Sequence, residues 1–291
     1  MRFNVTLIDP ANYKFAYFLT DTCRTIAAGL RSLGHVSDLT VNHIDSASTN
    51  IIVGTHLLTP PNATAVIEAG APYIAFQSEW LYPDADANVC SGFSSGPLQP
   101  PLVELFTKAA AVWDCLDSNL PLLQRLGVPK PHIKLYVPGF HEDLVDIQHR
   151  PPPERDIDVL FFGSPTPYRE QVFDQLRQDL RLMTLFDAPS AFRNDLIARA
   201  QINLVLQSGQ ELSYLPPQRV GYLLNNRCAV LAEAAKEGGL LDDLVLQASR
   251  ETLVDACKLM LSSPDTEQHV EETFELYRQR PVTAVLERLL D

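Results

Sequence analysis

The chain has 291 residues, of which 46% are hydrophobic and 20% are charged, values typical of a globular protein rather than a disordered, collagen-like or coiled-coil one. At about 150 residues per domain, this length favours two domains. The 36 acidic side chains exceed the 23 basic ones and give a formal charge of −13, so nucleic acid and anionic membranes are disfavoured as partners.

The sequence predicts neither a targeting segment nor a transmembrane segment. No apolar run approaches the roughly 20 residues that span a bilayer, and residues 1–9 are typical of a β-strand rather than of a signal peptide. The cysteines are odd in number and form no Cys-x-x-Cys motif, so we expect reduced, mostly buried thiols and a cytoplasmic location. They are Cys23, Cys90, Cys115, Cys228 and Cys257.

Apolar strands alternate with amphipathic helices along the first half of the chain. Gly34, Gly70 and Gly127 each follow a helical pattern, as expected for helix C-termini. Strands joined by helices of this length indicate crossover units and a parallel sheet. The predicted strands are 3–8, 36–41, 50–53, 72–76, 111–114 and 133–137, and the predicted helices are 19–33, 61–69, 102–109 and 119–126.

The segment 82–101 interrupts this alternation. It is rich in Asp, Ser, Gly and Pro, and we predict a long loop that is either a lid or binding loop or a disordered segment. The carboxylates of Asp84 and Asp86 lie within it, and we interpret them as solvated loop residues because they do not end a strand.

The alternation restarts after a connector at 141–155, whose three consecutive prolines predict a stiff, exposed linker. We therefore predict an α/β protein with two Rossmann-like, doubly wound parallel-sheet domains at 1–145 and 156–270, followed by a helical tail at 271–291. In such folds, ligands bind beyond the carboxyl ends of the strands or in a cleft between domains. The predicted strands are 158–162, 182–186, 202–207 and 228–232, and the predicted helices are 169–178, 190–200, 217–224, 250–261 and 270–290, the last broken at Pro281.

Three strand ends of the second domain carry residues suited to an anionic, hydroxylated ligand. Gly163 permits close backbone approach, and Arg169 opens a helix whose free amides favour an anion. Arg219 lies in a first helical turn, where the helix dipole disfavours a cation unless an anion is nearby. Glu233 ends a strand and can accept hydrogen bonds from ribose hydroxyls. The alternative for the segment from Gly163 to Arg169 is an ordinary strand–helix turn. For Arg219 it is a surface arginine on a loop, and for Glu233 it is a helix cap.

In their order and spacing, these segments resemble the carboxyl-terminal half of a GT-B glycosyltransferase, and more closely the family 1-like, family 4-like and CgeB-like bacterial glycosyltransferases. The first half adds a Leu-x-x-Leu-Gly-His pattern at 30–35 and the segment Tyr-Val-Pro-Gly-Phe-His at 136–141. The matching segments of the second half are DVLFFGS at 158–164 with Arg169, ARAQINL at 198–204 and RVGYLLNNRCAVLAE at 219–233.

The resemblance implies that the second domain holds a nucleotide-diphosphate sugar and that the first domain faces it across a cleft and receives the acceptor. Without a metal, cationic side chains and helix N-termini would stabilise the charge of the leaving diphosphate. Many family members have Glu and Gly where this chain has Tyr222 and Arg227, which leaves the stereochemical outcome open. The predicted donor-binding residues are Gly163, Ser164, Tyr168, Arg169, Gln207, Ser208, Tyr214, Gln218, Arg219 and Glu233.

An inverting transfer needs a general base for the acceptor hydroxyl on the first domain. Asp9, His56 and Glu79 each follow a predicted strand, and Glu79 also has the Gln-x-Glu context of similar proteins. For each of them the alternative is a hydrogen-bonded loop residue. The histidines show no metal-ligand spacing, so we predict no metal site, and no cofactor apart from the nucleotide sugar as co-substrate.

The predicted function is metal-independent transfer of a sugar from a nucleotide-diphosphate sugar to a protein, a glycan or a small metabolite. One alternative is a sugar-nucleotide epimerase of the same shape, which needs no acceptor site. The other is an inactive module that binds a sugar nucleotide or a partner, and Tyr222 and Arg227 motivate it. Nucleic acid is not expected as a partner.

Overall fold

The computed structural model describes residues 1–11, 13–81, 99–209, 214–235 and 239–291, together with the backbone of 88–91 and 94–97. The chain divides into two compact units. Unit 1 comprises Met1–Val137 and Val282–Asp291, and unit 2 comprises Pro138–Pro281.

Unit 1 is built on a six-stranded sheet with the order β2-β1-β3-β4-β8-β9, in which all neighbouring strands are parallel. Four of these strands are buried on both faces, which explains their high content of apolar residues, although Asn4, Thr6 and Asn50 are buried among them. The strands are β1 (Arg2–Leu7), β2 (Val36–Val41), β3 (Thr49–Val53), β4 (Tyr73–Gln77), β8 (Ala111–Asp114) and β9 (Ile133–Leu135).

A small antiparallel sheet follows β4 and consists of β5 (Trp80–Leu81), β6 (Asn88–Ser91) and β7 (Ser94–Pro97). The sequence predicted a loop for this stretch because its composition is typical of turns. These strands pair through their main chains, and the segment lacks the alternation of apolar and polar residues that predicts a strand. Asp84 and Asp86 lie outside the described residues.

Two hydrophobic clusters cover the two faces of the unit 1 sheet. Helix α1 (Thr20–Ser32) packs on one face, and its Gly29 lies so close to Val282 and Leu286 that a methyl group there would sit 2.7 and 2.6 Å from their side chains. The opposite face is covered by α2 (Pro60–Glu68), α3 (Pro100–Lys108) and α4 (Leu120–Arg125).

Unit 2 contains a second parallel sheet with the order β11-β10-β12-β13-β14. Helices α5 and α8 pack on one face, α6 contacts β10 and α7 contacts β13. The strands are β10 (Ile157–Phe162), β11 (Leu182–Leu185), β12 (Ala200–Val205), β13 (Val230–Glu233) and β14 (Leu246–Ala248). The helices are α5 (Pro167–Leu176), α6 (Ser190–Arg199), α7 (Pro217–Asn225), α8 (Leu253–Ser262) and α9 (Thr266–Arg278).

The chain passes between the units at Val137–Pro138 and again at Pro281–Val282, not within the proline-rich connector that we predicted as the boundary. The segment after Pro138 belongs to unit 2 because two amides at the end of α7 hold it. Asn225 exchanges two hydrogen bonds with the main chain of His141, and Asn226 Oδ1 accepts from Asp146 N at 2.7 Å.

The C-terminal tail is divided between the units. Helix α9 lies in unit 2, and α10 (Val282–Leu290), which begins directly after Pro281, packs in unit 1 against α1. No helix within the described residues is long and apolar enough to cross a membrane. Among the described residues, four cysteines are buried and form no disulfide bond, namely Cys23, Cys115, Cys228 and Cys257.

Candidate functional site

Gly163 begins the loop at the carboxyl end of β10. Its φ of +150° is rarely adopted by residues with side chains, and a methyl group there would lie 2.9 Å from Nη2 of Arg219 and 3.1 Å from the ring of Phe161. Glycine is therefore needed at this position because the guanidinium of Arg219 lies directly against the main chain.

Arg219 projects from the first turn of α7 to the end of β10. Its guanidinium carbon lies 5.7 and 5.3 Å from the ring centroids of Phe161 and Phe162. Nη1 is buried and has no hydrogen-bond partner among the described residues. Burial lowers the pKa of Arg219 to about 9, and the charge of Arg169 acts in the same direction. Arg219 thus carries a buried donor and a positive charge that a bound anion would satisfy.

Arg169 lies beside Arg219, with its guanidinium carbon 5.1 Å from the same Phe161 ring. Nε donates to Gln207 O at 2.8 Å, Nη1 to Ser164 O at 2.8 Å and Nη2 to Leu206 O at 2.9 Å. Since a guanidinium has five N–H groups, about two remain for another acceptor. Arg169 therefore joins the loop after β10 to the end of β12, and its predicted contact with a donor stays a prediction.

A third arginine, Arg193 of α6, belongs to the same cluster. It is 8% exposed, lies 5.9 Å from the Phe162 ring and 4.3 Å from the Tyr222 ring, and its charge contributes to the lowered pKa of Arg219. Three guanidinium groups thus gather around two phenylalanines at one sheet edge. An arrangement that concentrates positive charge in this way suits a multiply charged anion such as a diphosphate.

Glu233 ends β13 and is 2% exposed. Its carboxylate accepts hydrogen bonds from Tyr168 Oη at 2.5 Å and Gln207 N at 3.1 Å, and lies 3.4 Å from Nη1 of Arg250. Arg250 also stacks on the Tyr168 ring at 3.7 Å. The carboxylate is therefore fixed at the strand end, and no described hydrogen bond gives it the predicted alternative role of a helix cap.

Sequence reasoning missed Arg250, which lies in the turn between β14 and α8, because β14 itself was not predicted and its end therefore marked no site. The remaining predicted donor residues lie around the same strand ends. Gln207 donates from Nε2 to Ala234 O at 2.7 Å, and Ser208 O accepts from Thr166 at 3.2 Å. Nε2 of Gln218 is buried without a described partner, and the phenol of Tyr214 influences the pKa of Arg169 and Arg219.

The two departures from the family pattern have structural explanations. Tyr222 donates from its hydroxyl to Oδ1 of Asn194 at 2.8 Å and supports Arg193 with its ring. Arg227 follows the end of α7 in the left-handed conformation, with φ of 51°, where glycine is the usual residue. Its guanidinium lies 4.3 Å from the Phe274 ring. Glycine is the usual residue here because of the backbone conformation at the end of the helix, so its replacement by Arg227 does not change the arginine cluster.

Unit 1 places two predicted catalytic residues together. Nε2 of His56 lies 3.7 Å from Oε1 of Glu79, and the side chains are 4% and 26% exposed. Burial raises the pKa of Glu79 to about 7 and lowers the pKa of His56 to about 4. His56 Nδ1 is buried without a described partner. At neutral pH the pair therefore consists of a neutral imidazole and a carboxyl close to its titration midpoint.

The loop that carries Glu79 is fixed by its main chain. Glu79 O accepts from Gln77 Nε2 at 2.8 Å and from Asn119 Nδ2 at 2.8 Å, and Asn119 Oδ1 accepts from Leu81 N. Asn119 in turn donates to the fully buried Asp114, whose pKa is raised by burial. These bonds hold the backbone of the loop and leave the Glu79 carboxylate free of hydrogen bonds among the described residues.

Asp9, the third predicted catalytic residue, follows β1 and is exposed. Asp9 N donates to Oδ1 of Asn42 at 2.8 Å, and Nδ2 of Asn42 donates to Asp9 O at 2.6 Å. In the part of the chain that the structure describes, no hydrogen bond or ion pair joins Asp9 to His56 or Glu79. No group of three His, Cys, Asp or Glu side chains there is placed to hold a metal ion.

Several solved structures are similar to this chain. Anabaena Alr3699/HepE in complex with UDP-glucose has a TM-score of 0.61 and 11% identity, over 99% of this chain and 98% of that one. T4 phage BGT in complex with its UDP-glucose substrate has a TM-score of 0.61 and 11% identity over 100% of both chains. AviGT4, a glycosyltransferase involved in avilamycin A biosynthesis, has a TM-score of 0.54 and 10% identity, over 99% and 96%.

The chain has the GT-B fold. The predicted α/β class with two parallel-sheet domains is thereby confirmed. At identities of 10–11% these GT-B structures establish the fold and nothing about the ligands of this chain. No protein-family model matches the chain, and no curated protein sequence matches it.

Proposed function

We propose that this GT-B protein is a glycosyltransferase that moves a sugar from a nucleotide-diphosphate sugar to an acceptor. The observation that carries the proposal is Arg219, whose buried and unpartnered Nη1 lies in a cluster with Arg169 and Arg193. Its positive charge is uncompensated in the described structure, and a diphosphate at these strand ends would compensate it. Two proteins of the same fold are described with UDP-glucose, so UDP and UDP-glucose are the first probes.

In the proposed reaction, the bond between the anomeric carbon and the diphosphate oxygen breaks, and the electron pair stays on the diphosphate. Arg219 would stabilise that charge as it develops, because a fixed guanidinium in a dry site needs no reorganisation. Glu233 would accept hydrogen bonds from the ribose hydroxyls. Both roles are assigned to unit 2, because Arg219 and Glu233 lie at the strand ends of its sheet.

The acceptor hydroxyl would form the new bond to the anomeric carbon and lose its proton to Glu79. A carboxylate with a pKa near 7 is a better base than an ordinary one and is still ionised in about half of the molecules at neutral pH. Neutral His56 would keep a polar contact beside Glu79 without adding a positive charge. A base of this kind serves a single displacement, so we propose inversion at the anomeric carbon.

We also propose that the transfer is independent of a metal, because the arginine cluster supplies the charge that a divalent cation would otherwise supply. The expected rate is the same in excess EDTA as in Mg²⁺. A cytoplasmic location is part of the proposal and is supported by the four described cysteines, which are buried and form no disulfide bond.

Calorimetric titration of UDP into the wild-type chain and Arg219→Ala tests the donor half of the proposal. Removing a charge-assisted hydrogen bond should weaken UDP binding by about 1.5–3 kcal/mol, or roughly 10- to 150-fold. Arg177→Ala is the matched control, because Arg177 is an exposed arginine that directly follows α5. Equal affinity of Arg219→Ala and the wild-type chain would overturn the proposed site.

Release of UDP from UDP-glucose then separates transfer from its alternatives. A transferase releases UDP faster when acceptor is added, and an epimerase alters the sugar without needing an acceptor. A binding module would bind UDP and release none from the sugar nucleotide. Either of the last two results would exclude sugar transfer.

A further inference from the structure

A line of buried polar side chains connects the carboxyl ends of three neighbouring strands of unit 1, β3, β4 and β8. Each of these side chains belongs to a residue that is at most 1% exposed. Because buried polar groups cost free energy unless they are hydrogen-bonded, such a line at one edge of the sheet calls for an explanation. We call it the polar line, and its members are Thr55, Gln77, Asn119 and Asp114.

The hydrogen bonds of the polar line converge on the main chain of Glu79. Gln77 Nε2 and Asn119 Nδ2 both donate to Glu79 O at 2.8 Å, and Asn119 Oδ1 accepts from Leu81 N at 2.8 Å. Asn119 Nδ2 also lies 3.0 and 3.1 Å from the two carboxylate oxygens of Asp114, which ends β8. Through both ends of its amide, Asn119 therefore ties the loop after β4 to the neighbouring strand.

The other end of the polar line lies beside His56. The hydroxyl of Thr55, the residue directly before His56, donates to Phe76 O at 3.2 Å and lies 3.4 Å from Gln77 Oε1. The line thus holds the main chain at both members of the pair. By contrast, the Glu79 carboxylate accepts no hydrogen bond, and His56 Nδ1 has no partner, among the described residues. Side chains that support a site while its own polar groups stay unpaired are typical of a preorganised site.

The position of the loop determines how well the Glu79 carboxyl is shielded from water, and burial is what raises its pKa to about 7. The titratable groups near Glu79 are His56, after β3, and Tyr13, after β1. Asp114 is linked to its main chain only through Asn119. A change in the two amides of the polar line leaves all of these groups in place, so its effect on Glu79 reports the position of the loop.

We propose that Asn119 and Gln77 are positioning residues of the base, which hold the Glu79 loop so that its carboxyl stays beside His56 and out of water. The inference rests on the proposed sugar transfer for the word base, but the placement of the carboxyl is tested without donor or acceptor. Amides with a merely structural role would contribute to the stability of the fold and leave the surroundings of the Glu79 carboxyl unchanged when replaced.

The test is an NMR titration of the full chain with ¹³C-labelled glutamate side chains, in which the Glu79 signal is the one that Glu79→Gln removes. The wild-type carboxyl should titrate near pH 7. In Asn119→Ser the midpoint should fall by about one unit or more, because a released loop lets water reach the carboxyl. The kcat/KM of sugar transfer should fall about 10- to 100-fold because the base is misplaced, with the affinity for UDP unchanged.

Gln77→Met is the second variant and decides the test if Asn119→Ser does not fold. Methionine keeps the length of the side chain and removes the other N–H that reaches Glu79 O, so the midpoint should fall in the same direction. A wild-type midpoint at the ordinary value of a glutamate, or an unchanged midpoint in either variant that folds, would overturn the positioning role.

Asn50→Ser is the matched control, because Asn50 is also a fully buried asparagine of unit 1 and its amide forms hydrogen bonds through both Oδ1 and Nδ2. It lies near the amino end of β3, whereas His56 follows the carboxyl end. Asn50→Ser should lower the melting temperature as Asn119→Ser does and leave the Glu79 midpoint at the wild-type value. An equal fall of the midpoint in both variants would mean that general loosening of unit 1 is the cause, and would overturn the proposal.

Release of UDP from UDP-glucose separates this inference from the proposed function. A Glu79 midpoint that falls in the amide variants, in a chain whose UDP release does not respond to acceptor, would support the positioning role and overturn sugar transfer. Acceptor-dependent release, with the midpoint unchanged in the amide variants, would support sugar transfer and overturn the positioning role.

Discussion

Glu79 and Glu233 occupy comparable places in the two units and have opposite surroundings. Glu79 follows β4 and Glu233 ends β13. In the strand orders β2-β1-β3-β4 and β11-β10-β12-β13, each of these two strands occupies the fourth position. The Glu233 carboxylate receives hydrogen bonds from Tyr168 and Gln207, whereas that of Glu79 accepts no hydrogen bond among the described residues and lies 3.7 Å from the imidazole of His56.

The difference shows that the same position in a parallel sheet can serve two kinds of chemistry. A carboxylate that already accepts several hydrogen bonds is fixed as an acceptor and is poorly suited to take up a proton. A carboxylate that is partly desolvated and has no hydrogen bonds binds a proton more tightly, as the raised pKa of Glu79 shows. We therefore assign ligand binding to Glu233 and proton transfer to Glu79. Four measurements test this assignment.

Replacing Glu79 by glutamine should have the largest effect. Glu79→Gln keeps the size of the side chain but cannot accept the acceptor proton, so sugar transfer should fall by about 10²- to 10⁴-fold. UDP affinity, measured by calorimetry, should be unchanged because the donor residues belong to unit 2. Transfer at the wild-type rate would remove Glu79 from the reaction.

The pH dependence of transfer should report the same group. Because the base must be deprotonated, kcat/KM should rise with pH up to about 7, fall close to tenfold per pH unit below that value, and level off above it. His56, whose pKa is lowered to about 4, stays neutral across this range and adds no second step near neutrality. A flat profile between pH 5 and 8 would contradict the assignment.

Glu233→Gln should produce the converse pattern. The loss of a charged acceptor should weaken UDP binding by about 1.5 kcal/mol, or roughly tenfold, and the pH profile of transfer should keep its midpoint. Glu272→Gln, at an exposed position on α9, is the control. A shifted midpoint in Glu233→Gln would mean that the two carboxylates do not have separate roles.

The smallest expected effect concerns stability. The pKa of Glu79 is raised in the folded chain, so ionisation of this group destabilises the fold as pH rises through about 7. Glu79→Gln removes that cost of about 1 kcal/mol or more, and its melting temperature should exceed that of the wild-type chain by about 2–4 °C at pH 8. The difference should shrink as pH falls below about 7 and vanish below about pH 4, where the carboxyl is protonated in both the folded and the unfolded chain, and its persistence there would point to another cause.

Long apolar runs made most of the fold predictable. The strand predicted at 158–162 differs from β10 by one residue, because four consecutive apolar residues from Val159 to Phe162 are typical of a strand that is buried on both faces. Strand β14 was missed because Leu246–Ala248 is a short edge strand with two exposed residues, so nothing in its composition separates it from a loop.

The candidate site was predictable where a residue ends a strand, closely follows one or opens the next helix. Glu233 ends a strand, His56 and Glu79 closely follow strands, and Arg219 lies in the first turn of a helix. The rest depends on tertiary contacts. Arg250 reaches Glu233 from a turn, and Asn119 fixes the loop of Glu79 from a different part of the chain. The sequence also could not indicate that Arg169 directs three N–H groups to main-chain carbonyls, whereas Nη1 of Arg219 has no hydrogen-bond partner in the described part of the chain.

Helix α7 carries Arg219 at one end and the Asn225–Asn226 anchor at the other. A helix of nine residues is about 13 Å long and stiff, so its two ends move as one body. An anion that displaces Arg219 would therefore also displace, through the last turn of α7, the chain segment that leads from unit 2 toward Val137.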